Sequence, residues 1–306
     1  MKKIMKNTPI FSIIIPVYNR AHLLPNAIRS VLNQTEINWE LIIVDDCSTD
    51  NIVEVISGYK NNRIKFYQLS ENKGNAGARN VGVKSAKGQY IVFLDSDDQM
   101  ESNCLQTFSD LIIKKPEVKF AFGGYYIFNK ETGTKTRKKW KPDSSKSFLK
   151  ELKIGTGCGL MVKKNCFEKV GYFDERLRVA VDTDWLIRLE RAYPYEALDE
   201  CLVTVFKHPG ERVRNNKQQL LKSYEIILEK NKIEIYSDSE ILFKFLYKLQ
   251  WLNYQSSNLK KGNNLFLEQL KHRVIRSKTV FTFILYNYLP LNVARNIHNK
   301  ITGSTI

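Results

Sequence analysis

The sequence predicts an α/β protein, a mostly parallel sheet flanked by helices, followed by a C-terminal helical appendage. Three observations carry that prediction. Over residues 11–94, short apolar runs alternate with stretches whose apolar residues fall at helical spacing. Those runs are nearly continuous, as in strands buried on both faces of a parallel sheet. From about residue 218 onward no strand-like run occurs, and basic, aromatic-faced helical patterns take over.

Residues 11–15 form a β-branched strand ending at Pro16, with Val17, Tyr18, Asn19 and Arg20 as the turn. Leu23, Leu24, Ala27, Ile28, Val31 and Leu32 share helical spacing, so a helix is expected over 21–33. A second buried strand, 41–44, ends in Asp45-Asp46-Cys47-Ser48-Thr49-Asp50, and a helix over 51–59 returns. A third strand is expected at 64–69. Residues 72–80, rich in Gly and Asn, read as a loop entering a helix that runs to about Ala86. GQYIVFLDSDD at 88–98 then opens as a strand, 90–94, and closes in Asp95, Ser96, Asp97 and Asp98.

Beyond it, a helix is expected over 101–114, a strand over 120–129 and a hairpin turn at 131–134. Residues 135–153 read as a basic exposed loop with a short helix at 148–152. A strand over 156–162 contains Gly157 and Gly159. A short helix at 165–170, a turn at 171–175, a helix over 182–192 and a last strand over 198–206 complete the α/β part. The boundary falls near Arg214, dividing the chain into 1–214 and 215–306, the latter with three to five helices.

The carboxylates of Asp95, Asp97 and Asp98 repel one another, and desolvating any of them is costly. A divalent cation with oxygen ligands would relieve the repulsion, and the carboxyl end of a buried strand is where open α/β sheets hold ligands. The same residues equally suit a helix N-cap. A dinucleotide fold would need Gly-x-Gly-x-x-Gly directly after the first strand; PVYNR stands there instead, which excludes the standard dehydrogenase reading.

Lys and Arg exceed Asp and Glu by 16, and residues 207–300 hold 17 Lys or Arg against 7 Asp or Glu. Nucleic acid, an anionic membrane or a phosphate-bearing substrate each suit such a field, as does a merely solvated basic surface. Five cysteines without Cys-x-x-Cys spacing read as free thiols in a reducing cytoplasm. No signal peptide and no window long enough to span a bilayer is read in the chain.

Five ordered segments resemble the inverting family 2 glycosyltransferases with the GT-A fold and its Rossmann-like sheet. They are SIIIPVYNR from Ser12, LIIVDDCSTD from Leu41, NKGNAGARNVG from Asn72, GQYIVFLDSDD from Gly88, and GYFDE followed by VDTDWLIRL from Gly171. The resemblance implies a UDP-sugar donor, Mn2+ or Mg2+, and a saccharide or lipid-linked saccharide acceptor, with no role for nucleic acid. It places Pro16 and Tyr18 at the base and ribose, and Asp46, with Asp45 beside it, at the uracil ring. Asp95 contacts ribose or metal waters, with Ser96 in the same donor-binding run, and Asp97 ligates the metal directly. Asp182 takes the position of the catalytic base. Val181 departs from the acidic residue usual before it.

Other assignments stay open. Arg79 and Lys73 suit the diphosphate or a structural role. His208 suits an extra metal or phosphate ligand, or neither, and Arg212 and Arg214 could close over the diphosphate. Trp140 and Trp185 could stack on a sugar, though core packing is the default for Trp185. The aromatics of the tail suit either an anionic membrane surface or a helical core. A cytoplasmic enzyme, at the inner face of the membrane if the tail binds lipid, is the leading reading. A sugar nucleotidyltransferase and a non-catalytic basic membrane-binding module are the alternatives.

Overall fold

A computed structural model describes residues 8–138, 147–151, 159–207 and 216–302. His208, Arg212, Arg214, Trp140, Gly157 and Cys158 lie outside these residues, as does the expected boundary near 214. The chain divides into two compact units: Met1–Glu175 with Val181–Pro209, and Arg176–Ala180 with Gly210–Ile306.

The first unit is built on a nine-stranded mixed sheet. Its first half runs β1 (Phe11–Val17), α1 (Leu24–Leu32), β2 (Trp39–Asp45), α2 (Ile52–Ser57), β3 (Ile64–Gln68), α3 (Gly74–Ser85) and β4 (Tyr90–Phe93). The strands pair in parallel in the order β3-β2-β1-β4. Ile13, Ile14 and Ile15 are all fully buried, as are Leu41, Ile42 and Ile43. Consecutive side chains point to opposite faces, so both faces are covered, and this is why the runs read as continuous rather than alternating.

The second half adds β5 (Gln99–Met100), α4 (Cys104–Lys114), β6 (Phe120–Asn129), β7 (Thr134–Lys138), α5 (Phe148–Glu151), β8 (Leu160–Lys163), α6 (Cys166–Val170), α7 (Val181–Ala192) and β9 (Tyr195–Lys207). β8 joins β4 and β6 antiparallel, β9 lies parallel to β6, and β5 closes the edge antiparallel to β9. The hairpin turn at 131–134 is present between β6 and β7.

Several expectations change. The Gly- and Asn-rich stretch is helix from Gly74, not a loop to residue 80. Its small residues serve packing: a Cβ on Gly82 would lie 2.5 Å from Ile14 Cγ2, so glycine lets α3 lie close on β1. Asp95–Asp98 do not cap a helix. The chain enters β5 after Asp98, and α4 begins at Cys104 behind Asn103. Residues 134–138 are strand because pairing with β6 holds an otherwise exposed basic segment. β9 starts three residues earlier than its apolar pattern, since its amino end pairs with Phe120–Phe122 regardless of side-chain polarity.

The second unit contains six helices among the described residues and no strand: α8 (Lys217–Lys230), α9 (Lys232–Ser237), α10 (Ser239–Gln255), α11 (Leu259–Lys271), α12 (Ser277–Tyr288) and α13 (Leu291–Thr302). Short polar breaks such as Asn231 and Asp238 split what reads as fewer segments. The apolar stripe Leu242, Phe245, Leu246, Leu249 and Leu252 is buried along α10. Cys47, Cys104, Cys166 and Cys201 are free thiols, and burial pushes the Cys104 and Cys166 thiols up, that of Cys166 to about 11. Among the described residues, no helix is long and apolar enough to cross a membrane.

Gly88 sits where three strands meet. Its N–H donates to Ser12 Oγ at 2.8 Å, and Glu40 accepts from Ser12 Oγ at 2.7 Å and from the Lys87 N–H at 2.5 Å. A Cβ on Gly88 would stand 2.6 Å from the Ser12 nitrogen, where backbone cannot yield cheaply. Gly88→Ala should therefore lower stability by about 1–3 kcal/mol, the usual cost of overpacking. Urea denaturation checks it, and an unchanged midpoint would contradict the packing argument.

Candidate active site

Parallel pairing brings the carboxyl ends of β1, β2 and β4 to one edge of the sheet. The strand order 3-2-1-4 reverses direction between β1 and β4, the type of crevice in which open α/β sheets take ligands. β1 runs one residue past the expected end, through half-buried Pro16 to Val17, because Val17 still pairs with Asp45, and Tyr18 is exposed beyond it. Three backbone N–H groups cross-link the loops after β1 and β2. That of Asn19 donates to Ser48 Oγ at 2.9 Å, that of Thr49 to Asn19 Oδ1 at 2.8 Å, and that of Ala21 to Asp50 Oδ2 at 2.7 Å.

The two aspartates after β2 differ in use. Asp45 is fully buried, with Oδ1 accepting from the Ser48 N–H at 3.0 Å and Oδ2 from Gln68 Nε2 at 3.0 Å. It braces the loop. Asp46 accepts from the Lys73 N–H at 2.7 Å, and its carbonyl accepts from Asn72 Nδ2 at 3.1 Å, which ties the β2 loop to the entry of α3.

After β4 the chain makes a turn closed by the Asp98 N–H donating to the Asp95 carbonyl at 3.0 Å, with Ser96 and Asp97 at its centre. Ser96 is buried. Ligand oxygens of Asp95, Asp97 and Asp98 all lie within 4.8 Å of one another. Their burial differs. Asp98 is buried and its Oδ1 accepts from the Phe206 N–H at 3.1 Å, while Asp95 and Asp97 keep partial access to solvent. Oxygen donors in this number suit a hard divalent cation such as Mg2+ or Mn2+, so the residues fit the group.

Two arginines answer the carboxylates. Arg20, in the turn after β1, pairs with Asp97 Oδ1 at 2.9 Å. Arg79, on α3, is 1% exposed and reaches two carboxylates at once: Asp95 Oδ1 at 3.0 Å and Asp182 Oδ1. Its guanidinium lies 5.5 Å from the ring centre of Phe93 and 5.7 Å from that of Phe173. Next to it, Asn80 donates to the Phe173 carbonyl at 3.0 Å and to Glu175 Oε1 at 2.9 Å, and accepts from the Phe173 N–H at 3.0 Å. Two adjacent residues of α3 thus hold the GYFDE segment and the start of α7.

Asp182 stands at the first turn of α7 with its side chain 20% exposed. Asp184 is buried and bound to Arg188, with Oδ2 accepting from Nη2 at 3.0 Å. Trp185 is fully buried, stacks on Phe167 with ring centres 4.5 Å apart and donates to the Gly171 carbonyl at 2.9 Å. The ring of Trp185 is thus core, its default reading, and offers no face to a sugar. Arg20 was no site residue in the sequence reading; its position directly after Val17-Tyr18-Asn19 is the signal that could have found it.

Residues 12–171 match the family described as glycosyl transferase family 2. A putative teichuronic acid biosynthesis glycosyltransferase, TuaG of Bacillus subtilis, is 31% identical over 70% of this chain and 85% of its own length. The UDP-Glc:alpha-D-GlcNAc-diphosphoundecaprenol beta-1,3-glucosyltransferase WfgD of Escherichia coli is 42% identical over 39% of this chain and 47% of its own length. The crystal structure of S. aureus TarS 1–349 in complex with UDP-GlcNAc covers 96% of this chain and 92% of that one, with a TM-score of 0.65 at 19% identity, a likeness of fold.

Replacing the bridging guanidinium tests its structural share. Arg79→Ala removes charge-assisted hydrogen bonds and leaves a cavity beside the Phe93 and Phe173 rings, so stability should fall by about 2–4 kcal/mol. Arg79→Lys should recover only part of it, because an ammonium lacks the fork that serves two carboxylates. Denaturant midpoints check both; two variants as stable as the parent would show that the bridge holds nothing.

Proposed function

The chain belongs to glycosyl transferase family 2, and on that premise we propose that it transfers a hexosyl or N-acetylhexosaminyl group, with inversion, from a UDP-sugar to an acceptor hydroxyl in surface polysaccharide or glycoconjugate synthesis. It is a glycosyltransferase, which ends the nucleotidyltransferase and non-catalytic alternatives. The acceptor class is a saccharide or lipid-linked saccharide; the relative named for glucosyl transfer to a diphosphoundecaprenol-linked sugar supports it. The TarS complex with UDP-GlcNAc supports the UDP-sugar donor. A cytoplasmic site of action belongs to the same reading.

The observation that carries the chemistry is the single guanidinium shared by Asp95 and Asp182. In this reading Asp182 is the general base. The acceptor oxygen bonds to the anomeric carbon, the bond from that carbon to the diphosphate oxygen breaks, and the acceptor's proton passes to the Asp182 carboxylate. Partial solvent access leaves Asp182 open to an acceptor, whereas Asp184 is buried on Arg188. Arg79 orients Asp182 from the side away from solvent.

Asp97 as direct ligand and Asp95 through water or ribose would hold Mg2+ or Mn2+, which when bound offsets charge on the departing diphosphate. Pro16 and Tyr18 flank the nucleotide base and ribose, and Asp46 accepts from the uracil ring N–H. Asp45 supports that loop from below. The domain division near residue 214, with catalysis in 1–214, completes the proposal.

Asp182→Asn should lower turnover by about 10²–10⁴-fold with UDP-sugar binding retained, measured as UDP release with acceptor present and then omitted. Full turnover in Asp182→Asn alongside a dead, still folded Asp184→Asn would move the base two residues on. Asp97→Asn should weaken Mn2+ binding in a calorimetric titration, an assay independent of turnover. Unchanged Mn2+ affinity would remove Asp97 from the metal site.

A further inference from the structure

α12 presents apolar side chains to solvent as well as to the interior. Its inner face carries Thr279 and Thr282, both fully buried, in its first two turns, and buried Leu285 and Tyr286 beyond them. Thr279 Oγ1 donates to Gln269 Oε1 at 3.1 Å, and Gln269 Nε2 donates to Gln250 Oε1 at 2.9 Å, so a polar network lies beneath the helix. Its outer face carries Val280, Phe281, Ile284 and Tyr288, all exposed, with Ile284 at 50% and Tyr288 at 76%. Positions 280, 284 and 288 repeat every four residues, so these side chains line one stripe. A soluble helix normally shows water the opposite pattern, and a contiguous apolar stripe marks a surface that something covers.

The charge around that stripe names the cover. Residues 269–306 contain six Lys or Arg and no Asp or Glu. Lys271, Arg273, Arg276 and Lys278 are exposed around the amino end of α12. Arg276 and Lys278 rest on aromatic rings, 4.1 Å from the Phe243 centroid and 4.6 Å from that of Tyr247, with no carboxylate partner among the described residues. Burial, and then the neighbouring Arg276 and Lys244, push the Lys278 ammonium below its usual range, a sign of crowded cations. A second copy would bring like charges together across the stripe. Nucleic acid would meet the cations and leave Phe281 and Ile284 in water.

We infer that the outer face of α12, with the basic residues at its amino end, docks on an anionic lipid bilayer. Headgroup phosphates meet Arg276 and Lys278 while Val280, Phe281 and Ile284 enter the acyl boundary. At 12 residues, about 18 Å, the helix lies in the interface and does not cross it. Of the tail aromatics, Phe243, Phe245, Tyr254 and Tyr286 are core, and Phe281 and Tyr288 are left for the surface. The inference stands whether or not the acceptor is lipid-linked.

Co-sedimentation of the full chain with phosphatidylcholine vesicles, with and without phosphatidylglycerol, tests it. The chain should pellet with phosphatidylglycerol vesicles at low salt and be released at high salt. Phe281→Ser combined with Ile284→Ser should weaken that binding by about tenfold or more, with thermal melting and UDP-sugar turnover unchanged. Arg276→Gln combined with Lys278→Gln should abolish the preference for phosphatidylglycerol. Parent protein left in the supernatant at low salt overturns the inference, as does vesicle binding by the Phe281/Ile284 variant equal to the parent's. A dimer seen by light scattering, dissolved by that variant and accompanied by no vesicle binding, assigns the face to a second copy and likewise overturns it. Asp182→Asn should bind vesicles like the parent, which separates this inference from the catalytic one.

Discussion

A buried guanidinium must be answered by negative charge, and the arrangement of the sheet-bearing unit follows from how Arg79 is answered. At 1% exposure it has little water to turn to. Its partners come from distant parts of the chain, Asp95 at the end of β4 and Asp182 at the start of α7, and both reach the same planar group. The fork geometry of arginine makes this possible where a lysine would serve one partner. Phe93 and Phe173, themselves in edge contact, cover the guanidinium against water and raise the electrostatic stake of the pairing. Asn80 adds a neutral clamp on residues 173–175.

The sheet supplies the other half of the constraint. Parallel strands end at the same edge, so the polar clusters after β1, β2 and β4 are gathered without any designed contact between them. The loops are then tied by short-range hydrogen bonds, Asn19 to Ser48 and Thr49, and Ala21 to Asp50. The acidic residues differ in how far they are enclosed. Asp45 and Asp98 are buried and bonded to the framework, while Asp95 and Asp97 keep an open side. Negative charge at this edge of the sheet is thereby held by turns anchored on strands.

The helical unit uses polarity differently. Gln250, Gln269, Thr279 and Thr282 are fully buried, and bonds among Gln250, Gln269 and Thr279 make one orientation of α12 satisfy the interior. A register that buried Phe281 and Ile284 instead would leave Gln269 without its hydroxyl donor, a cost comparable to a lost buried hydrogen bond. His298, buried in the same unit, is held neutral by desolvation, its titration lowered to about 4.

The sequence by itself determined the parallel half of the sheet, the hairpin after β6, the helical tail and the runs that carry Asp46, Asp95, Asp97 and Asp182. These are local properties: burial on two faces writes itself as consecutive β-branched residues, and a turn writes itself as Asp, Ser, Asn or Gly. Only the tertiary structure decided that Asp95–Asp98 form a turn into β5 instead of a helix cap, because the pairing of β5 with β9 lies about a hundred residues away in the chain. It alone decided that 72–80 is mostly helix, since the close seat of Gly82 on Ile14 outweighs poor local propensity. It alone decided that Arg79 bridges two carboxylates. A charged or aromatic side chain can face solvent, ligand or protein at the same local pattern, and which it meets depends on elements that no window of sequence contains.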